Sequence, residues 1–481
     1  MVKTIGCATT WQEVEILEQT ARQKIKQLST QPELFLDEED LVIEKLVASI
    51  GNADIQTLGP EIVFGRIYDS IGFGAIKEEL FRHLVIARLA FPLSKLKTID
   101  YLYRYQRVWI DSDAVYRFLD KLSSKLKLQV EQIAYKNTLK VLKEEISIVF
   151  YDMTTLFFEA SDEDDLRKTG FSKDGKHQNP QIYIGLLVGL NGYPIGYDIF
   201  EGNTYEGHTL IPFIEKMTNK FKLGKPAVVA DAGLLSNDNI KLLENKGYEY
   251  IIGARIKNET DHLKQKILAS KFEDGSIHSF RRKGEARLIV HYAASRAKKD
   301  EYNRKRGLMR LEKRIKAGRL TKSSINNKGY NKYLKLIGEV TIEIDYEKFT
   351  RDDQWDGLKG YITNTKLSNQ QVLDNYKHLW QIEKAFRMSK TDLRIRPVYH
   401  RLRHRIEAHI CIAFTAYSIL KELERALYES KSTLSLKKAA EATHNMYQLT
   451  YTLPGAKQRK SRLLRMDDKQ VELVRIVKEK F

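Results

Sequence analysis

ISIVFYDM, residues 146–153, is a continuous apolar run of strand length carrying an acid, Asp152, at its end. Buried strands of α/β sheets read this way, because both of their faces are covered and no polar alternation is needed. After a charged loop come QIYIGLLVGL (181–190) and YPIGYDIF (193–200), separated by Asn191-Gly192, a pair suited to the positive φ angles of a tight hairpin turn. HTLIPFIEKMTNKF (208–221) has helical apolar spacing, AVVAD (227–231) is a short buried strand closing on Asp231, SNDNIKLLENKG (236–247) is a serine-capped helix, and YEYIIGA (248–254) is a further strand. The order strand, hairpin, helix, strand, helix, strand predicts an α/β domain with a mixed sheet.

Outward from this core the character changes. Residues 1–140 read as helical: Gly59-Pro60 opens a stretch with Ile62, Val63, Phe64, Ile67 and Ile71 at helical spacing, and Val115, Phe118, Leu119 and Leu122 repeat it. From 258 to 349 the alternation breaks down. Residues 281–335 hold 19 Lys or Arg against 4 Asp or Glu, a net of +15 out of the chain's +18. Within this block 296–322 is expected as a solvated helix and VTIEIDYEKF (340–349) as a strand. Residues 350–425 carry WDGLKGYITNTKL and two helices, and 426–481 is expected to be helical and basic.

At 481 residues the chain is long enough for several domains, and 42% hydrophobic residues supply their cores. A formal charge of +18 attracts polyanions, nucleic acid first. The longest apolar run, His409 to Leu420, is too short to span a bilayer, and the N-terminal stretch lacks the pattern of a signal peptide, so no membrane partner and a cytoplasmic setting are expected. Cys7 and Cys411 offer neither a disulfide framework nor a metal spacing.

The chemistry-bearing residues are acids. Asp152 and Asp231 each close an apolar strand, and in α/β sheets functional crevices lie outside the carboxyl ends of strands. Each aspartate taken singly is equally a cap for the turn that follows it. A third acid lies in YKHLWQIEKAFRMSK (376–390), read as one helix in which Tyr376, Glu383 and Lys390, seven residues apart, share a face. Leu379, Ile382, Ala385 and Phe386 supply its apolar stripe, and Trp380 reads as core. Three carboxylates make an oxygen-rich site for hard cations; two Mg²⁺ ions about 3.5–4 Å apart suit in-line phosphodiester displacement.

These residues resemble a family. Tyr376, Glu383 and Lys390, with YDMT around Asp152 and VVADAGLLS around Asp231, are similar to the DDE transposases of bacterial insertion sequences, and more narrowly to the insertion-sequence-4-like group with its Tyr-x2-Arg-x3-Glu-x6-Lys signature. Position 379 is Leu rather than Arg, and Arg387, one turn beyond Glu383, is the candidate replacement. GFSKDGKHQNPQ (170–181), EGNTYEGHTL (201–210) and RPVYHRLRHRIEAHI (396–410) also resemble this group. The resemblance implies a ribonuclease H-like catalytic domain in two parts, 141–257 and 350–425, interrupted by a basic, β-containing insertion subdomain at 258–349. The resemblance covers about 146–420; outside it, 1–140 is expected from its own residues as a helical N-terminal DNA-binding domain and 426–481 as a helical basic region. The resemblance further implies Mg²⁺ or Mn²⁺ held by Asp152, Asp231 and Glu383; binding of terminal inverted repeats and target DNA; a homodimer in a synaptic complex; and metal-dependent cleavage followed by strand transfer, by a protein acting on bacterial nucleoid DNA.

Around this centre, Tyr376, Arg387 and Lys390 are expected at DNA phosphates, with a half-buried tyrosine and a solvated helix-end lysine as the plain alternatives. Lys173, Lys176 and His177 are DNA contacts or ordinary solvated charges. Arg401, Arg403 and Arg405 surround His400, His404 and His409, and so many cations favour a phosphate-binding surface over a zinc site. Two other functions stay open: a ribonuclease H-like DNA nuclease without strand transfer, and a catalytically inactive DNA-binding protein derived from a transposase. The intact acidic trio speaks against the second, and the basic insertion and helical N-terminal part against the first.

Overall fold

The computed structural model describes residues 4–28, 38–143, 146–172, 175–234, 236–282, 284–326, 329–338 and 341–481. It divides into two compact units. The larger, Tyr68–Arg88 with Tyr116–Glu422, holds an eight-stranded sheet. Its elements in chain order are β1 (Ile148–Phe157), β2 (Gln181–Val188), β3 (Pro194–Glu201), α1 (Leu210–Phe221), β4 (Ala227–Ala230), α2 (Asn237–Asn245), β5 (Tyr250–Ala254), β6 (Ile277–Arg281), β7 (Arg287–Tyr292), α3 (Ala294–Lys316), β8 (Leu358–Thr363), α4 (Asn369–Lys377), α5 (Trp380–Arg387) and α6 (Arg403–Glu429).

The spatial order is β3-β2-β1-β4-β5-β8-β7-β6. β1, β2 and β3 form an antiparallel meander, while β4 and β5 join it in parallel. Asn191 and Gly192 between β2 and β3 both take positive φ, 58° and 75°, as the hairpin requires. The sheet is covered on both faces. On one, α1 lays down Leu210, Phe213, Ile214, Met217 and Phe221, the i, i+3, i+4, i+7 stripe of an amphipathic helix, against Val149, Tyr151, Met153, Val228 and Ala230. On the other, α5 packs against β1, and α6 places Ile410, Ala413, Phe414 and Tyr417 beside Thr154, Leu156, Ile184, Leu186 and Tyr197.

Four expectations change. Residues 258–349 are not wholly a separate subdomain: β6 and β7 extend the main sheet through β8, which pairs antiparallel with both β5 and β7. Only α3 and the hairpin Leu334–Ile337/Thr341–Ile344 form a small body of their own around Leu311, Tyr333, Leu334 and Ile344. The strand expected over 340–349 stops at Ile344, because the Asp345 side chain accepts the Lys348 N–H and starts a helix, Tyr346–Arg351.

The smaller unit comprises Met1–Ile67, Leu89–Val115 and Leu423–Phe481, so the helical N-terminal region does not end as a domain at residue 140. Nor is 426–481 purely helical. Tyr447–Thr452 and Arg459–Leu463 form a hairpin that continues onto Ile55–Thr57. The alternating YQLTYT and the Pro454-Gly455 turn, with Gly455 at φ 80°, are its signal in the sequence. No helix among the described residues is long and apolar enough to cross a membrane.

Candidate active site

β1 and β4 run parallel with Tyr151 opposite Ala230. Asp152 and Asp231 each follow a paired residue by one step, so they stand on neighbouring strands, whose spacing is about 4.8 Å. Tyr151 and Ala230 point into the core beneath α1, and the alternation of strand side chains turns the two acids toward the opposite face, where α5 lies. Asp152 is not at the end of its strand. β1 continues to Phe157 because Thr154–Phe157 stay paired with β2; it is β4 that stops at this level and opens the crevice. Each carboxylate also accepts the backbone N–H of the residue after it, Met153 at 2.7 Å and Ala232 at 2.6 Å. Local capping and a shared acidic site therefore coexist.

The stretch from Tyr376 to Lys390 is not one helix. α4 gives way at His378 and Leu379 to a tight turn, with N–H groups of His378, Leu379, Gln381 and Ile382 bonding three residues back, before α5 begins. A wider π turn, Met388–Asp392, follows. The breaks let α4 lie on β4 and β5 while α5 lies on β1. Tyr376 is buried and donates its hydroxyl to Asp231 at 3.4 Å. Burial first, then the charges of Asp231 and Glu383, hold its phenol well above the ordinary range. Glu383 is exposed on α5. Asp152 and Asp231 thus face the side of the sheet on which α5 lies, with Tyr376 bonded to Asp231 and within the field of Glu383. Among the described residues no group of three or more His, Cys, Asp or Glu side chains is arranged so that it could hold a metal ion.

Lys390 lines a small cavity with Thr154 and Leu156 of β1 and with Phe386, Ile410 and Phe414. Arg387 is exposed, and Leu379, at the signature's arginine position, is buried. Trp380 is 52% exposed rather than core, with the Lys384 ammonium 5.5 Å from its ring centre. Lys176 sits 5.4 Å over the ring of Phe157, at the far end of β1, and His177 Nδ1 accepts the Ser172 N–H. Lys173 lies outside the described residues. Arg401 is exposed, Arg403 pairs with Glu407 at 3.3 Å, and Arg405 makes a two-pronged contact with Asp120 at 2.8 and 3.1 Å.

Lys359, on β8, is the neighbour that sequence reading missed. Its ammonium lies 4.6 Å from the ring centre of Tyr376 and feels both Asp231 and Glu383. In an alternating strand it reads as a solvated lysine, and only the pairing of β8 with β5 brings it here.

Residues 144–419 match the family described as "Transposase DDE domain", more than half of the chain. The chain belongs to the DDE transposase family. The matched span begins just before β1 and ends within α6, and contains Asp152, Asp231 and Glu383. No curated protein matches the chain in sequence. Similar solved structures include a piggyBac transposase synaptic complex with hairpin DNA, at 9% identity, TM-score 0.38, and coverage of 80% of this chain and 76% of that one. A Mos1 transposase paired-end complex with the left transposon end has 11% identity, TM-score 0.17, and coverage of 51% and 68%.

Proposed function

We propose that this chain cuts DNA at the ends of a mobile element and joins the freed 3′-hydroxyl to target DNA, with Asp152, Asp231 and Glu383 as the acidic trio of a ribonuclease H-like domain. The observation that carries this reading is the register: Tyr151 opposite Ala230 sets two aspartates side by side where β4 ends, beneath the helix that bears Glu383.

The donor set fits a hard divalent cation. All three groups supply oxygen, and Mg²⁺ needs only one or two protein carboxylates, taking water and substrate oxygens for the rest. Asp152, Asp231 and Glu383 would hold Mg²⁺ or Mn²⁺, two ions in this reading, and the bound metal would supply the Lewis acidity that an in-line phosphodiester displacement needs. The chain's own groups orient the reaction. Tyr376 fixes one Asp231 oxygen, and the sheet holds the two aspartates at constant separation. The exposed face of α3 supplies cations for the DNA backbone, and the ends are held in a homodimeric synaptic complex in which the N-terminal helices read the inverted repeats.

Asp152→Asn, Asp231→Asn and Glu383→Gln should each abolish Mg²⁺-dependent cleavage of element-end DNA, by at least about a thousandfold, while gel-shift affinity persists. A plasmid target in the same reaction separates transposase from nuclease, since only the former yields joined products. Normal cleavage by all three variants would sink the assignment.

A further inference from the structure

We propose that Lys359, backed by Arg296, binds a DNA phosphate beside the Asp231 and Glu383 carboxylates. The inference rests on the active-site reading above and adds a residue on the sheet to it.

Lys359 is half-buried on β8 with its ammonium 4.6 Å from the ring centre of Tyr376 and 5.5 Å from that of Tyr361. The two rings meet edge to face at 4.7 Å and 61°, making an aromatic seat for the cation. An ammonium has three N–H donors, yet among the described residues Lys359 forms neither a hydrogen bond nor an ion pair. Its charge nevertheless acts on Asp231 and Glu383. A cation seated on apolar faces, within reach of two acids but bonded to neither, leaves its donors for a ligand of opposite charge.

The surroundings say which ligand. Burial lowers the proton affinity of Lys359, Arg296 lowers it further, and the two acids oppose both. Arg296, at the start of α3, is half-exposed and touches Asp300 at 3.4 Å, so its guanidinium keeps donors to spare. His291 stands opposite Lys359 in the β7–β8 register, and its imidazole is held below its usual range by burial, then by Lys377, with Lys359 and Arg296 adding to it and Asp274 opposing. Asp231 and Glu383 thus feel Lys359, which has Arg296 near it and His291, held toward its neutral form, opposite it in the register. A phosphodiester brought to an acidic site is repelled by the acids, and a desolvated cation at their edge offsets that repulsion more strongly than a solvated one. α5 cannot do this from position 379, where a buried leucine stands; the cation seated on Tyr376 comes from the sheet.

The test uses the full-length protein, Mg²⁺ and element-end duplexes in which single phosphates near the cleavage site are replaced by uncharged methylphosphonates. Wild type should lose roughly tenfold or more in cleavage rate at one such position, the effect of one charge-assisted hydrogen bond. Lys359→Ala should show a similar loss on unmodified DNA, bind it within about threefold of wild type, and lose nothing more at that one position; Lys359→Arg should recover the dependence on that phosphate. A Lys359→Ala enzyme that cleaves at the wild-type rate, or whose rate falls by the same further factor at every substituted phosphate, overturns the proposal. If Lys359→Ala does not fold, Lys359→Met keeps the stem on the rings and answers the same question. Asp152→Asn runs in parallel: cleavage by that variant defeats the active-site reading itself, whereas a dead Asp152→Asn beside a phosphate-indifferent Lys359 defeats only this inference.

Discussion

Tyr376 owes its position to a glycine. A Cβ on Gly253 of β5 would lie 2.5 Å from the Tyr376 hydroxyl and 3.1 Å from the Ala232 nitrogen, so the bare backbone lets the phenol reach Asp231. Gly253→Ala should push the ring off the sheet, cost about 1–3 kcal/mol by overpacking, and slow cleavage together with loss of the Asp231 contact. Denaturant melts and single-turnover rates read the two effects separately. Tyr376→Phe in the same background-free assay should fold like wild type, since it keeps the ring on which Lys359 rests; a Gly253→Ala enzyme with unchanged rate would show that the hydroxyl is idle. At this scale the sequence was informative in setting Asp231 just past a short apolar strand and Asp152 within another, although β1 runs on past Asp152 to Phe157. It was silent on Lys359, because a lysine in an alternating strand has the same pattern whether it meets solvent or a carboxylate.

Elements settle where those residues point. Seven-residue spacing is a sound guide on an unbroken helix, but 376–390 changes from α to a tight turn to α to π, so spacing alone does not fix where Lys390 stands; it lines a cavity with Thr154 of β1. One carboxylate gathers three donors from the excursion between β5 and β8. Asp352, just before β8, accepts from Lys257 at 2.8 Å, from the Tyr333 hydroxyl at 2.6 Å, and from Lys332. Burial pushes its pKa up, but these three donors outweigh burial and hold it at about 2, below the ordinary 3.8. A folded pKa below the unfolded one means stability that is complete above about pH 4 and lost as pH falls through about 2. Asp352→Asn should therefore cost about 1 kcal/mol at pH 7, after allowance for solvent screening of this partly open cluster. The difference from wild type should shrink in urea melts below pH 4; a gap independent of pH would mean that packing, not charge, fastens the loop.

Across the molecule, charge is concentrated rather than spread. Residues 281–335 carry a net of +15, and α3 buries only Gly307 and Leu311 among its 23 residues, so most of that charge faces solvent. So much like charge repels itself unless a polyanion neutralises it. Replacing Lys298, Lys299, Arg306, Arg310, Lys313 and Lys316 by Gln should weaken DNA binding and flatten its salt dependence, by roughly 0.9 in log–log slope for each phosphate contact removed. Stability should hardly change, since these side chains are exposed. An unaltered slope would take α3 out of the DNA interface.

The sequence by itself determined the mixed α/β core, the Asn191-Gly192 hairpin, the two strand-borne aspartates and the basic excess, because each is written in residues a few positions apart, where local periodicity and turn chemistry act. The tertiary structure decided what stands beside what. It joined β6 and β7 to the main sheet, linked Ile55–Thr57 to a C-terminal hairpin, and brought Tyr376 to Asp231 across 145 residues, with Lys359 seated on the tyrosine. Such partners are chosen by burial and strand register over long loops, and no local pattern carries that information.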